Sequence, residues 1–222
     1  MEDFYQTLFL TFKLAFITTF ILFFLAIPVA YFLAYKNFKF KSVLEAIVSL
    51  PLVLPPTVLG FYFLIIFDPT GTIGKFLQNF FDLKLVFTFE GLVVASIIYS
   101  FPFMVHPIQS GMESLPKAII EASYTLGKST FQTLIKVILP NIKPSLLTGI
   151  VLSFAHTIGE FGVVLMVGGS IPGKTKVASI AIYEEVESLN YEEAHKYALI
   201  LLLISFLVLA IVYSLNRRIK TL

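Results

Sequence analysis

Apolar residues gather along this chain into five runs, at 14–35, 43–67, 91–111, 145–168 and 197–215, and none of these runs contains Lys or Arg. A helix needs roughly 20 residues to cross a hydrocarbon core of about 30 Å, so each run predicts one membrane-crossing helix. Between them lie shorter polar stretches. Residues 68–90 open on the turn-rich DPTGTIG and continue with Phe76, Phe80 and Phe81, which predicts a short helix lying in the membrane interface. Residues 169–196 begin with GGSIPG and continue with Ile180, Ile182 and Val186 on one side and Glu184, Glu185 and Glu187 among them. That stretch predicts a helix that dips partway into the membrane, or a sixth span.

The segment from Glu121 to Pro140, EASYTLGKSTFQTLIKVILP, is different in kind. Leu126, Phe131, Leu134, Ile135 and Ile138 recur at three- and four-residue steps, which predicts one shared helical face. Gly127 interrupts the pattern where a helix would end and turn, and Pro140 is expected to stop a second helix. A short helix, a turn and a second short helix, amphipathic and displayed between two membrane spans, make a docking element.

Charge orients the spans. Lys36, Lys39, Lys41, Lys117, Lys128, Lys136, Lys143, Arg217, Arg218 and Lys220 fall on one side, ten basic residues in all. The other side has Lys75, Lys84, Lys174, Lys176 and Lys196, diluted by Asp and Glu. Basic loops stay inside, so the docking element and C-terminus are expected in the cytoplasm and the N-terminus outside. Composition agrees with a membrane protein: 57% of residues are apolar and 14% charged, against roughly a quarter charged in soluble domains. The net charge of +2 does not suggest a nucleic-acid binder. With no cysteine, disulfides and thiolate sites are excluded. The first apolar run lacks a basic leader and a small-residue cleavage site, and is expected to stay as an anchor rather than to be cleaved.

The docking segment resembles the "EAA" loop in permease subunits of binding-protein-dependent ABC importers, whose pattern is E-A-A, three residues, G, nine residues, I-x-L-P. Glu121, Ala122, Gly127, Leu139 and Pro140 match in register, with Ser123 at the second Ala and Val137 at the Ile. Two further stretches, LPLVLPPTVLGFY at 50–62 and IGEFGVVLMVGGSIPGKT at 158–175, are similar to molybdate and tungstate permeases. The resemblance implies an all-α polytopic fold of the type I importer permease class, with residues 1–222 forming one transmembrane domain and a docking loop at about 112–144. It implies a homodimer with its pore at the subunit interface, two ATPase subunits on the cytoplasmic side, and an external oxyanion-binding protein. Glu121, Ala122, Ser123, Leu126, Gly127, Leu139 and Pro140 would then couple to the ATPase. Sulfate or thiosulfate is the alternative cargo.

Several residues inside the spans could carry chemistry. Pro51, Pro55 and Pro56 remove backbone donors from the second span, leaving a kinked packing helix or a broken helix lining a path, with Thr57 and Gly60 beside it. Glu160, flanked by Gly159 and Gly162, falls about 22 Å along the fourth span. A charge there costs about 2.5–3.5 kcal/mol, so it should face protein or water. A hydrogen bond across helices and an outer gate are both open. Ser153 and Thr157 are hydroxyls on the same span. His106, His156 and Glu160 could suggest a metal site or an intramembrane enzyme, with nothing in the resemblance to support either. The ending GKT in GGSIPGKT lacks the glycine spacing of a phosphate loop. The chain is therefore expected to bind no cofactor and to be no enzyme, with ATP and Mg held by a partner ATPase. A passive channel would need rings of charge or a carbonyl filter, and neither occurs.

Overall fold

The computed structural model describes residues 2–220; the side chains of Glu2, Tyr213 and residues 215–220 lie outside the described set. Among the described residues the chain is helical with no strand. The helices are α1 (Glu2–Tyr35), α2 (Lys41–Val53), α3 (Pro56–Phe67), α4 (Thr72–Phe81), α5 (Phe89–Glu113), α6 (Lys117–Thr125), α7 (Thr130–Thr133), α8 (Leu139–Asn141), α9 (Lys143–Gly159), α10 (Gly162–Gly168), α11 (Ala178–Glu187) and α12 (Tyr191–Lys220). A π-helical turn, Leu134–Ile138, joins α7 to α8.

Three helices are long and apolar enough to cross a membrane unaided, within Asp3–Tyr35, Phe89–Glu113 and Tyr191–Val212. They correspond to the first, third and fifth predicted spans. The other two are interrupted. α2 and α3 meet at an angle of 112°, and the fourth run divides into α9 and α10 at Glu160 and Phe161. The sixth span that residues 169–196 left open does not form: α11 has 10 residues, about 15 Å of helix, half of what a crossing requires. Its Ile180 is buried while Val186 is exposed, so the expected apolar side is split. α4 is the short aromatic helix expected at the interface, with Phe76, Phe80 and Phe81 all exposed.

The centre of the bundle is α5, which packs on α1, α2, α9 and α10. At the basic end, Leu22, Ala26, Ala30 and Leu33 of α1 meet Met104, Val105, Ile108 and Met112 of α5. Ile138 and Ile142 from the docking element bury in that same cluster. At the opposite end, Leu10 and Leu14 of α1 pack with Leu92 of α5, Val164 of α10 and Ile180 of α11. The small Ala26 and Ala30, fully buried, allow α1 close to its neighbours. On the outer face of α1, Phe16, Phe20 and Phe24 follow at four-residue steps, the first pair stacked and the second edge-to-face, and are exposed, as lipid-facing aromatics would be.

α1 also corrects a reading of charge. It extends well before residue 14 and takes in Lys13, which the span limits had excluded and the tally of sides had left unassigned. Lys13 Nζ lies 4.6 Å from the centre of the Phe89 ring, a cation–π contact that keeps the ammonium at the end of the bundle opposite the docking element.

Candidate functional site

The two interrupted spans face one another. At the first break, Leu54 and Pro55 are extended (ψ 137° at both), and α3 starts on Pro56. Consecutive prolines cannot continue the ladder, and each pushes the preceding residue out of the helical region. Of the two readings the prolines left open, the broken helix is the one that forms. The second break has no proline. Glu160 is extended (φ −65°, ψ 129°) and Phe161 turns back at φ −127°, ψ −64°. The freed Glu160 carbonyl accepts a 2.6 Å bond from the Ser179 hydroxyl of α11, which satisfies a group that lipid could not.

Beyond the breaks, α3 and α10 run side by side in the same direction. A Cβ on Gly162 would stand 2.8 Å from Pro56 Cβ, and one on Gly60 would stand 2.7 Å from Met166 Cβ. Only glycine allows this approach. Beside the crossing is a cleft of about 420 Å³, lined by Pro56, Thr57, Tyr99, His156, Glu160 and Gly162. α3 begins at this cleft, so its positive end is directed toward it.

Glu160 is 3% exposed, and neither carboxylate oxygen has a hydrogen-bond partner among the described residues. A bond across helices is not closed in this geometry, although Ser96 of α5 is placed to make one. The Ser96 hydroxyl, which faces the carboxylate, is itself buried and unbonded. His156 is engaged elsewhere: its Nδ1 is 2.9 Å from Ser100 Oγ, which is 3.0 Å from Thr157 Oγ1. Phe103 stacks on the imidazole at 4.0 Å. His106 pairs with Ser49 at 3.1 Å, far along α5 from this site. No cluster of three metal-ligating side chains occurs among the described residues, so the two histidines and Glu160 do not converge. Thr57 and Glu160 thus share the cleft, and Gly60 lies farther along α3 against Met166. Pro55 forms the hinge beside them. Thr157 bonds its hydroxyl to the Ser153 carbonyl at 2.9 Å, and the Ser153 hydroxyl is buried without a partner, away from the cleft lining.

The docking element is built at the other end of the bundle. α6 ends at Thr125, and Gly127 turns the chain at φ +77° with open space around it. Ser129 then caps the next helix in a reciprocal box with Gln132, a sequence-legible start signal. The Ser123 hydroxyl is buried against Thr133 at 2.9 Å, clasping the two helices. The departure from Ala at position 123 therefore has a structural use. The helix ends at Asn141, one residue beyond Pro140, and α9 leaves it at 80°. The π turn before it, with Leu139 N–H reaching back to the Leu134 carbonyl, widens the turn that the proline ring would otherwise crowd. The apolar residues do not share one face. Ile138 is buried, whereas Leu126, Phe131 and Ile135 are exposed, because Gly127 and the π turn rotate them apart. Glu121 and Ala122 are exposed as well, so the element presents acidic and apolar groups outward.

At the end of the bundle opposite the docking element, Lys176 and Glu184 form a 2.8 Å ion pair that ties the 169–177 segment to α11. Burial pulls the Lys176 ammonium down, but its bond to Glu184 outweighs this and leaves it above the usual range. Burial pushes the Glu184 carboxyl up, and the bond and charge of Lys176 help to more than reverse it, holding it below.

Residues 26–221 match the family described as binding-protein-dependent transport system inner membrane component. This chain belongs to that family. Among its curated relatives, the molybdenum transport system permease protein ModB of Azotobacter vinelandii is 46% identical over 211 residues, covering 95% of this chain and 93% of that protein. The ModB protein of Haemophilus influenzae is 37% identical, covering 82% of each chain. The sulfate transport system permease protein CysT of Salmonella typhimurium is 35% identical over 85% of this chain and 68% of its own length. Among solved structures, a bacterial ABC transporter that imports alginate superposes with a TM-score of 0.81 at 17% identity, covering 99% of this chain and 80% of that one. The MetNI methionine transporter in an inward-facing form gives 0.73 at 18% identity, covering 96% and 94%. These likenesses establish the importer-permease fold. As a member of the family the chain is a multi-pass inner-membrane transport component, not an enzyme.

Proposed function

We propose that this chain is the translocation subunit of an ATP-driven importer for molybdate or tungstate. The observation that carries the cargo is the 46% identity to a molybdenum permease over nearly the full length of both chains. The lower identity to the sulfate permease keeps sulfate as the second reading. In this account two copies form the path at their interface, an external binding protein delivers the anion, and two ATPases dock on α6–α8 from the cytoplasm. The N-terminus is external and the C-terminus cytoplasmic.

The geometry suits alternating access. The docking element is anchored by Ile138 and Ile142 in the same buried cluster as α1 and α5, so a push on it moves the inner half of the bundle as a body. The breaks at Pro55 and Glu160 sit where that motion can be taken up, and α3 and α10 beyond them are locked by glycine contacts. A charged Glu160 would repel a dianion, so passage requires its carboxyl to be turned away or protonated. The test is ATP hydrolysis by the complete complex with its binding protein. Molybdate or tungstate should stimulate it and sulfate should not; stimulation by sulfate alone would transfer the assignment to the second reading.

A further inference from the structure

A second cleft, of about 350 Å³, lies at the outer end of the bundle and has no part in the account above. Lys13 of α1, Lys174 of the 169–177 segment, Phe87, Phe89 and Glu90 line it. We propose that Lys13 and Lys174 form a receiving site for a doubly charged oxyanion, separate from the Glu160 cleft. The cargo assignment rests on the transport reading; the site itself rests on its own geometry.

The Lys13 ammonium and the backbone that carries Lys174 are both held in place. Lys13 is the only charged residue between Asp3 and Lys36, and the Phe89 ring fixes its ammonium. Lys174 sits in a turn closed by several bonds. Its N–H donates to the Ile171 carbonyl at 3.1 Å, and the Thr175 hydroxyl donates to the Gly168 carbonyl at 2.7 Å. The start of α11, directly after this segment, is pinned to α1, where Ala178 N–H donates to the Thr11 hydroxyl at 2.8 Å. Gly173, at φ +73°, lies so close to Gln6 that a Cβ would stand 2.7 Å from its amide. Phe87 adopts φ +60°, a left-handed conformation that a bulky side chain rarely takes. The ion pairs among the described residues involve Lys41, Lys176 and Lys196, never Lys13 or Lys174. Two ammonium groups without a carboxylate partner, beside aromatic walls that concentrate their field, attract an oxyanion. Glu90 shares the cleft and offsets one positive charge, which keeps the hold weak enough for release.

Position connects this cleft to the path. Phe87 N–H donates to the Val167 carbonyl at the end of α10, at 2.9 Å, and the Glu160 cleft lies at the start of α10. The two are separated by about 10 Å, the length of that helix. An anion released outside would meet the lysines before it meets the break.

A phospholipid headgroup has the same chemistry as a free dianion, so the test separates them. The permease–ATPase complex in phosphatidylcholine nanodiscs is acylated briefly, and each lysine's modification is read by mass spectrometry. Sodium molybdate or inorganic phosphate at about 10 mM, above the millimolar range of a weak site, should slow Lys13 and Lys174 at least threefold while Lys75 and Lys84 are unaffected. Sodium chloride of matched ionic strength should not. Protection by phosphatidylglycerol alone, not increased by added anion, would assign the site to lipid headgroups and overturn the receiving role. Equal modification under all conditions would overturn the site. In transport-competent proteoliposomes, K13Q/K174Q should lower molybdate uptake about fivefold, the scale of a lost steering charge pair, with K13R/K174R near wild type. Binding-protein-stimulated ATP hydrolysis should be unchanged, and its loss would instead mark a docking defect and sink the proposal. If the wild type transports no molybdate yet the lysines remain protected, the transport reading fails and the site stands.

Discussion

Gly162→Ala gives the clearest test of the crossing between the two broken spans. The added methyl would sit 2.8 Å from Pro56 Cβ and 3.3 Å from Thr57 N. Carbon atoms prefer about 3.5–4.0 Å, so the helices must part by roughly 0.7–1.2 Å. Pro56 cannot yield by rotating a side chain, since its ring is fixed to the backbone. Overpacking of this kind costs about 1–3 kcal/mol. Gly159, three residues earlier, supplies the control, because a Cβ there meets nothing within 4 Å. Gly159→Ala should be neutral or slightly stabilising, by up to about 1 kcal/mol, through lost backbone entropy in the unfolded chain. Thermal unfolding of the two purified variants in one detergent measures the contrast, and uptake by the assembled transporter shows whether the parted helices still gate. Equal melting temperatures for both variants would refute the close crossing of α3 and α10.

Three further outcomes are expected. Gly127→Val should leave the chain inserted but weaken recovery of the ATPase with it, because a β-branched residue at φ +77° costs roughly 1–2 kcal/mol; normal complex recovery and uptake would exclude this turn from coupling. Single cysteines at positions 3, 39 and 128 of this cysteine-free chain should react with an impermeant maleimide only at position 3 in sealed cells, and the reverse pattern would invert the topology. Calorimetric titration of the permease alone should find no molybdate or tungstate site tighter than about millimolar, near −4 kcal/mol, whereas a micromolar site would mean that selectivity resides in this subunit.

Much of this architecture is written locally in the chain. Apolar runs marked the crossing helices, and Gly127 announced the turn of the docking element; the Ser129–Gln132 cap obeys rules just as local but went unread. Pro55 and Pro56 announced the first break, since a missing N–H has a local consequence. The second break had no such mark. Glu160 and Phe161 leave the helix where Ser179, on a separate helix, accepts responsibility for the freed carbonyl, and no periodicity reports a partner 19 residues away. The convergence of the breaks depends on Gly60 and Gly162, about a hundred positions apart, meeting across two half-helices. Lys13 escaped because span limits drawn from apolar runs ended just short of it. Its placement depends on Phe89, on another helix. Conversely, a shared apolar face for Leu126 through Ile138 assumed one unbroken period, which the π turn interrupts.

The central claim is vectorial, so the decisive measurement is movement of the anion itself. The permease, its ATPase partner and its binding protein are reconstituted into proteoliposomes, and labelled molybdate entering the lumen is followed over time. The account predicts accumulation that requires both ATP on the ATPase side and the binding protein, and that continues against a molybdate gradient. Entry that proceeds equally without ATP, and stops when the gradient is spent, would identify a passive path and contradict it.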